Sequence, residues 1–226
     1  MSVSVSKNTD MRSRVIVGVP LFVIAALALL EPGVWLALMI LVCFFVMHEI
    51  EKLPGGMGAK AGWSAEILMA LVACGLIMGS GLLRMTHNGL FWVILIGIIV
   101  IANDVAALLI GRWIGEHPFF ASISPNKTLE GALGGMAVGY LVGTAIIDFA
   151  SVRDWHIAYW PAFTLCLVIP VAAVAGDLCE SKVKRLYGVK DMGNLLPGHG
   201  GVTDRVDALS AAWLVGSLIL ACSGAL

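Results

Sequence analysis

The sequence predicts an all-α, polytopic integral membrane protein with about seven transmembrane helices and a polar active site facing the cytoplasm. Three observations lead there. Of the 226 residues, 59% are hydrophobic and 13% charged, against roughly 25% charged in soluble domains, and the mean hydropathy is +0.95. Apolar runs that approach or reach the roughly 20 residues needed to cross a bilayer recur along the whole chain. The polar residues collect in one long stretch, Gly176 to Asp207, with five cations, five carboxylates and a Pro-Gly-His-Gly-Gly turn among them.

The apolar runs fall near 15–30, 33–48, 65–83, 90–111, 132–150, 161–178 and 206–225. The first follows Lys7, Arg12 and Arg14 and contains Ala26-Leu27-Ala28, which are features of a secretory leader. Its length, and a second run within a few residues, favour an uncleaved first helix. The fifth run carries Gly131, Gly135, Gly139 and Gly143, spaced by four and therefore on one face. Such a stripe permits close helix approach, serving either internal packing or the seam of a homodimer. Pro170 is expected to kink the sixth helix before Asp177, leaving backbone groups to line a polar cavity. The chain reads as a single membrane domain, 1–226, with N-terminal spans at about 15–83 and a catalytic core at about 90–226.

Charge sets the orientation. With the N-terminus in the cytoplasm, the inner segments hold Lys7, Arg12, Arg14, Lys52, Lys60, Arg112, Lys127, Lys182, Lys184, Arg185, Lys190 and Arg205, and the outer loops hold Arg84 and Arg153. This positive-inside pattern puts the polar stretch on the cytoplasmic side, and the expected location is a bacterial inner (plasma) membrane. The net charge of −1, with no basic run outside the polar stretch, gives no reason to expect a nucleic-acid partner. The cysteines at 43, 74, 166, 179 and 222 form no CxxC pair, which argues against a disulfide framework or zinc site.

Two connections on the cytoplasmic side, about 112–131 and 179–205, are separated by one helical hairpin and can share a site. In the first, Ser124-Pro125 opens a turn, Thr128 caps a helix beginning at Leu129, and Lys127 sits at that helix N-terminus, where the dipole favours anions. In the second, Asp177 and Asp204 flank the connection and make a seat for Mg²⁺, which takes a few carboxylates plus phosphate oxygens. Lys184, Arg185 and Lys190 would surround phosphates, and Arg205 can grip one bidentately. His199, between glycines, is placed to contact phosphate or transfer a proton. Asp104, next to Asn103 inside the fourth run, is costly to bury in a bilayer and therefore a candidate for an ion or substrate path.

The run from Ser181 through Lys184-Arg185, Lys190-Asp191, Gly193 and Pro197 to Gly201, then Asp204-Arg205 and Asp207, resembles the signature of the CTP-dependent phosphatidate cytidylyltransferases, the CDP-diacylglycerol synthases. Gly176-Asp177-Leu178 with Glu180 fits as well, as do Gly111-Arg112 and Ser124-Pro125, Lys127-Thr128 and Glu130-Gly131. The likeness is strong over about 103–207, and upstream it extends only to Arg14, Gly18 and His48-Glu49. The chain departs in Val105-Ala106-Ala107 after Asp104 and in Glu116, where the family commonly has Lys, and it is shorter than many bacterial members. Short archaeal members of the family act on ether lipids.

The resemblance implies transfer of the cytidylyl group of CTP to phosphatidate, with release of pyrophosphate, in phospholipid biosynthesis. It implies Mg²⁺ on Asp177 and Asp204, with a second, monovalent cation as a bridging option. Lys127, Lys184, Arg185, Lys190 and Arg205 would bind phosphates, and His199, Asp191 and Asp207 would orient the reacting groups. Ser124, Thr128, Glu130, Asp104, Gly200 and Gly201 complete the expected substrate-binding set. Competing readings are a transferase acting on another lipid phosphate, such as an ether-lipid phosphate, and a transporter of phosphorylated solutes. A transporter would spread polar residues through several helices, whereas here they gather at one face. The CDP-alcohol phosphotransferase pattern needs a wider aspartate spacing than Asp204 and Asp207 offer, and Asn103-Asp104 lacks the aspartate-rich repeat of prenyltransferases.

Overall fold

The computed structural model describes residues 3–54, 63–152, 159–198 and 200–225. Among these the chain is helical, with α1 (Val3–Ala28), α2 (Pro32–Glu51), α3 (Ser64–Cys74), α4 (Gly89–Ile114), α5 (Leu129–Val152), α6 (Tyr159–Tyr187) and α7 (Thr203–Ser223). α3 runs directly into a π-helical stretch, Gly75–Leu82. Six of these helical segments, from α2 onward and counting α3 with its π-helical continuation, are long and apolar enough to cross a membrane. In α1 the apolar stretch covers only Ile16–Ala28. The polytopic all-α expectation holds, with six such segments among the described residues and a shorter apolar stretch in α1 where the seventh was expected.

Packing, not amphipathicity, distinguishes the faces of each helix, because lipid and protein interior are equally apolar. In α4, Trp92, Ile96, Ile99, Asn103 and Ala106 are buried at spacings of three and four, while Ile94, Ile98, Ile101, Val105 and Leu108 on the other side are exposed. Buried apolar side chains form one cluster from Ala28 to Leu220.

The glycine stripe of α5 is used internally. A Cβ on Gly131 would lie 2.7 Å from the Ala107 carbonyl oxygen of α4, and one on Gly135 would lie 2.6 Å from that of Asn103. On Gly139 it would meet Pro170 at 3.2 Å, and on Gly143 the Cys166 sulfur at 2.7 Å, both on α6. All four glycines are buried, so the stripe is occupied by α4 and α6 and offers no seam to a second copy. Gly75 and Gly79 do the same for the π-helical stretch, where added Cβ atoms would fall 2.0 Å from the Ser210 carbonyl oxygen and 2.6 Å from the backbone of Trp213 on α7.

α6 continues through the buried Pro170 to Tyr187, beyond the expected end at 178. Its last turns therefore stand as a helical platform and not as loop. α6 closes on Gly188, at φ 68°, with Val189 N–H donating to Lys184 O and Gly188 N–H to Arg185 O, a Schellman stop that needs the left-handed residue.

The tight α4–α5 contact gives a direct test. Gly135→Ala overpacks a backbone–backbone contact and should cost about 1–3 kcal/mol, read as a lower thermal midpoint in detergent. Gly97→Ala, where an added Cβ has no atom within 4 Å, should leave that midpoint unlowered.

Candidate active site

One end of the bundle collects the ends of α2, α4 and α6 and the starts of α5 and α7. α6 presents Asp177, Glu180, Ser181 and Lys184 at spacings of three and four, which places them on one helix face. α7 presents Asp204 and Asp207 in its first turns, three apart. The two helices approach closely because Gly176 has no side chain, since a Cβ there would lie 2.6 Å from Ala211 Cβ and 2.9 Å from Asp207 O.

Side-chain oxygens of Asp177, Glu180 and Asp207 lie within 4.8 Å of one another. Glu180 is 1% exposed, and its Oε1 has no hydrogen-bond partner. Around octahedral Mg²⁺ neighbouring oxygens stand roughly 2.9 Å apart and opposed ones roughly 4.2 Å, so the three carboxylates have the donor chemistry for a divalent cation and would draw together around it. The orphaned carboxylate oxygen is the kind of group such an ion would satisfy. Lysines flank the cluster on two sides. Lys127 Nζ, from the start of α5, donates to Asp177 Oδ2, and Lys184 Nζ donates to Glu180 Oε2 at 2.7 Å and Asp204 Oδ1 at 3.0 Å.

Asp204, expected to share an ion with Asp177, is engaged differently. Its carboxylate accepts from Gly201 N–H at 2.8 Å, from Met192 N–H at 3.1 and 3.2 Å, and from Lys184. It therefore closes the 188–202 connection onto α7, and Asp207 occupies the place beside Asp177. The i, i+3 spacings Asp177/Glu180 and Asp204/Asp207 carried the signal for this set once both stretches were known to be helical.

The remaining expected residues divide. Asp104 accepts from Asn103 Nδ2 at 3.0 Å and, with Arg112, Asn126, Lys127, Thr128 and Asp177, lines a cavity of about 590 Å³ between α4, α5 and α6. That is within the usual size of small-molecule sites. Thr128 Oγ1 accepts from Gly131 N–H at 3.2 Å, the expected cap of α5. Ser124 turns the connection, with Lys127 N–H donating to its carbonyl. Arg185 Nε donates to Ile123 O at 3.0 Å, tying the two polar connections together. Glu130 turns away from the cluster, pairing with His117 and accepting from the amides of Glu116 and His117.

Lys190 and Asp191 line a second cavity, of about 660 Å³, together with Glu49 and Lys52. Gly200, at φ 83°, lies where a Cβ would come 3.1 Å from Asp204 Oδ2 and 3.6 Å from Asp191, and Gly201 gives its N–H to Asp204. These glycines thus admit a carboxylate of the protein itself. Arg205 is exposed in the first turn of α7. His199 lies outside the described residues. Arg112, Glu180 and Glu49, which the resemblance covers without assigning a role, and Asn103 are site-end residues outside the expected binding and metal sets.

The family model described as "Cytidylyltransferase family" matches residues 6–223, nearly the whole length of the chain. The chain belongs to the cytidylyltransferase family. Among curated proteins, a phosphatidate cytidylyltransferase of Staphylococcus saprophyticus is 38% identical over 121 residues, and one of Staphylococcus aureus is 39% identical over the same length. One of Staphylococcus epidermidis reaches 40% over 121 residues. Each alignment covers 54% of this chain and 45% of the relative, so the chain spans about half the length of the curated relatives it matches.

The Lys184 contacts carry a stability prediction. Its side chain is 15% exposed and those of Glu180 and Asp204 are 1% and 6%. Removing the cation strands two buried carboxylates, so Lys184→Met should cost about 3–5 kcal/mol. The thermal midpoint in detergent should fall accordingly and recover in part when Glu180→Gln is added.

Proposed function

We propose that this chain transfers the cytidylyl group of CTP to the phosphate of phosphatidate, giving CDP-diacylglycerol and pyrophosphate for phospholipid synthesis. The observation that carries the reading is the three-carboxylate cluster with a lysine on either side, bordered by a polar cavity that opens among lipid-length helices. Family membership and the names of the relatives support it. The cytoplasmic face of a bacterial inner membrane is the proposed setting. Lys52, Arg112, Lys127, Lys182, Lys184, Arg185, Lys190 and Arg205 lie at the site end, whereas Arg84 lies at the other, donating to the Leu29 and Leu30 carbonyls, an asymmetry that supports the proposed orientation through the positive-inside tendency.

In the proposed reaction a phosphate oxygen of phosphatidate attacks the α-phosphorus of CTP. A new P–O bond forms as the bond to the pyrophosphate oxygen breaks in line. The attacking oxygen is already anionic, so no general base is needed. The difficulty is bringing anions together, and catalysis is then mainly positioning and charge neutralisation. Mg²⁺ on Asp177, Glu180 and Asp207 would supply positive charge for phosphate oxygens.

The chain's own groups do the rest. Lys127 and Lys184 are held at the cluster by their carboxylate partners and present fixed ammonium groups to incoming phosphates. Arg112, on the cavity wall, adds a planar donor suited to a phosphate. Arg185, Lys190 and Arg205 extend the cationic rim toward solvent. Ala107 and Leu108 line the same cavity on the apolar side, where acyl chains can lie while the headgroup reaches Lys127.

Purified protein in detergent should release pyrophosphate and form a nucleotide-lipid from phosphatidate and Mg²⁺ with CTP, and not with ATP, GTP or UTP. Absence of product with all four nucleotides would reject the reading. Glu180→Gln and Asp207→Asn should each lower turnover by about 100-fold at fixed Mg²⁺, the scale expected when a charge-stabilising group is lost, and chelation of the metal should abolish it.

A further inference from the structure

We propose that Glu49, on α2 and remote in sequence from the polar stretch, is a positioning residue that fixes the start of α7 and with it Asp204 and Asp207. The proposal rests on the functional reading above. Glu49 is 2% exposed at the site end of α2. Its Oε1 accepts from Val202 N–H at 2.8 Å, and its Oε2 accepts from Thr203 N–H at 2.9 Å and Thr203 Oγ1 at 2.8 Å.

Those donors belong to the first turn of α7, where Val202 stands at the N-cap without a side-chain capping bond. The first amides of a helix need acceptors, usually supplied by a Ser, Thr, Asp or Asn at the cap itself. Here a carboxylate from another helix supplies them, and its charge sits at the positive end of the α7 dipole. The surrounding backbone is shaped to admit it. A Cβ on Gly193 would lie 2.7 Å from Glu49 Oε1, and one on Gly201 would lie 2.7 Å from Oε2.

Thr203 is wholly buried, and Asp204 and Asp207 follow it within the next turn. Any shift or rotation of Thr203 therefore moves both carboxylates. Gly201, between the two anions, touches Glu49 on one side and bonds Asp204 on the other. α2 thereby reaches the site without contributing a group to the reaction.

The test uses the full chain in detergent with Glu49→Gln, Thr203→Val and Thr203→Ser. Gln keeps the size but sets an NH₂ against N–H donors, Val removes the Thr203 hydroxyl, and Ser keeps it. Amide exchange over 200–207 should quicken about 10-fold or more in Glu49→Gln while α4 and α5 exchange at the wild-type rate, since the loss is of local hydrogen bonds. Turnover should fall about 10-fold or more with the KM for CTP within about 3-fold, as expected when geometry and not binding is lost.

Thr203→Val should move both readings in the same direction, and Thr203→Ser should restore them. Unchanged exchange over 200–207, or unchanged turnover, in Glu49→Gln would overturn the proposal. If Glu49→Gln does not fold, the Thr203 pair decides: equal behaviour of Val and Ser overturns it. Should the wild-type chain make no nucleotide-lipid, the functional reading fails, and the exchange readings alone decide whether Glu49 holds the helix start.

Discussion

The ammonium of Lys184 sits between two carboxylates nearly removed from solvent, Glu180 one turn back on α6 and Asp204 at the start of α7. The polar end of the bundle depends on that arrangement. Burying ionised groups is expensive, and a pair is tolerated only when the geometry returns most of the cost. With Lys184 in place, two helices can converge although each brings acidic side chains to the contact. Asp177 is treated in the same way by Lys127, which adds α5 to the junction. Asp207 completes the carboxylate cluster with Asp177 and Glu180. In the proposed reaction this cluster is where the divalent cation would sit.

This chemistry needs backbones in contact, and glycine supplies the room. Gly176 lets α7 lie against α6 beside Asp177, and the α5 stripe draws α4 close enough for Asp104, Arg112 and Lys127 to share one cavity. In a bilayer there is no hydrophobic force between helices, so close van der Waals packing must hold the bundle. The same glycines thus stabilise the scaffold and set the spacing of the charged groups.

Much of this was legible in the chain. Hydropathy gave the helices, because crossing a bilayer demands long apolar runs with every backbone group satisfied internally. Thr128 as the cap of α5 followed from local rules that tertiary structure did not override, and Lys127 beside it reaches Asp177. The pairing of Asp177 with Asp204 was harder to read. It assumed that residues at the two ends of a loop face each other, whereas α6 continues past Asp177 and Asp204 turns back to bind the loop amides. Gly200 and Gly201 belong to the expected substrate-binding set, and the carboxylates lying against them are the protein's own Asp204 and Glu49.

By itself the sequence determined the polytopic all-α architecture, the gathering of polar groups at one end of the helices, and the inventory of cations and carboxylates there. These depend on composition and on local periodicity, which a linear string records. Only the tertiary structure decided which carboxylates stand together, which are neutralised by lysine, and that α2 reaches across 153 residues of sequence to hold the start of α7. Such choices depend on helix rotation and on backbone approach to within a few ångströms, quantities set by packing between segments and absent from any one of them.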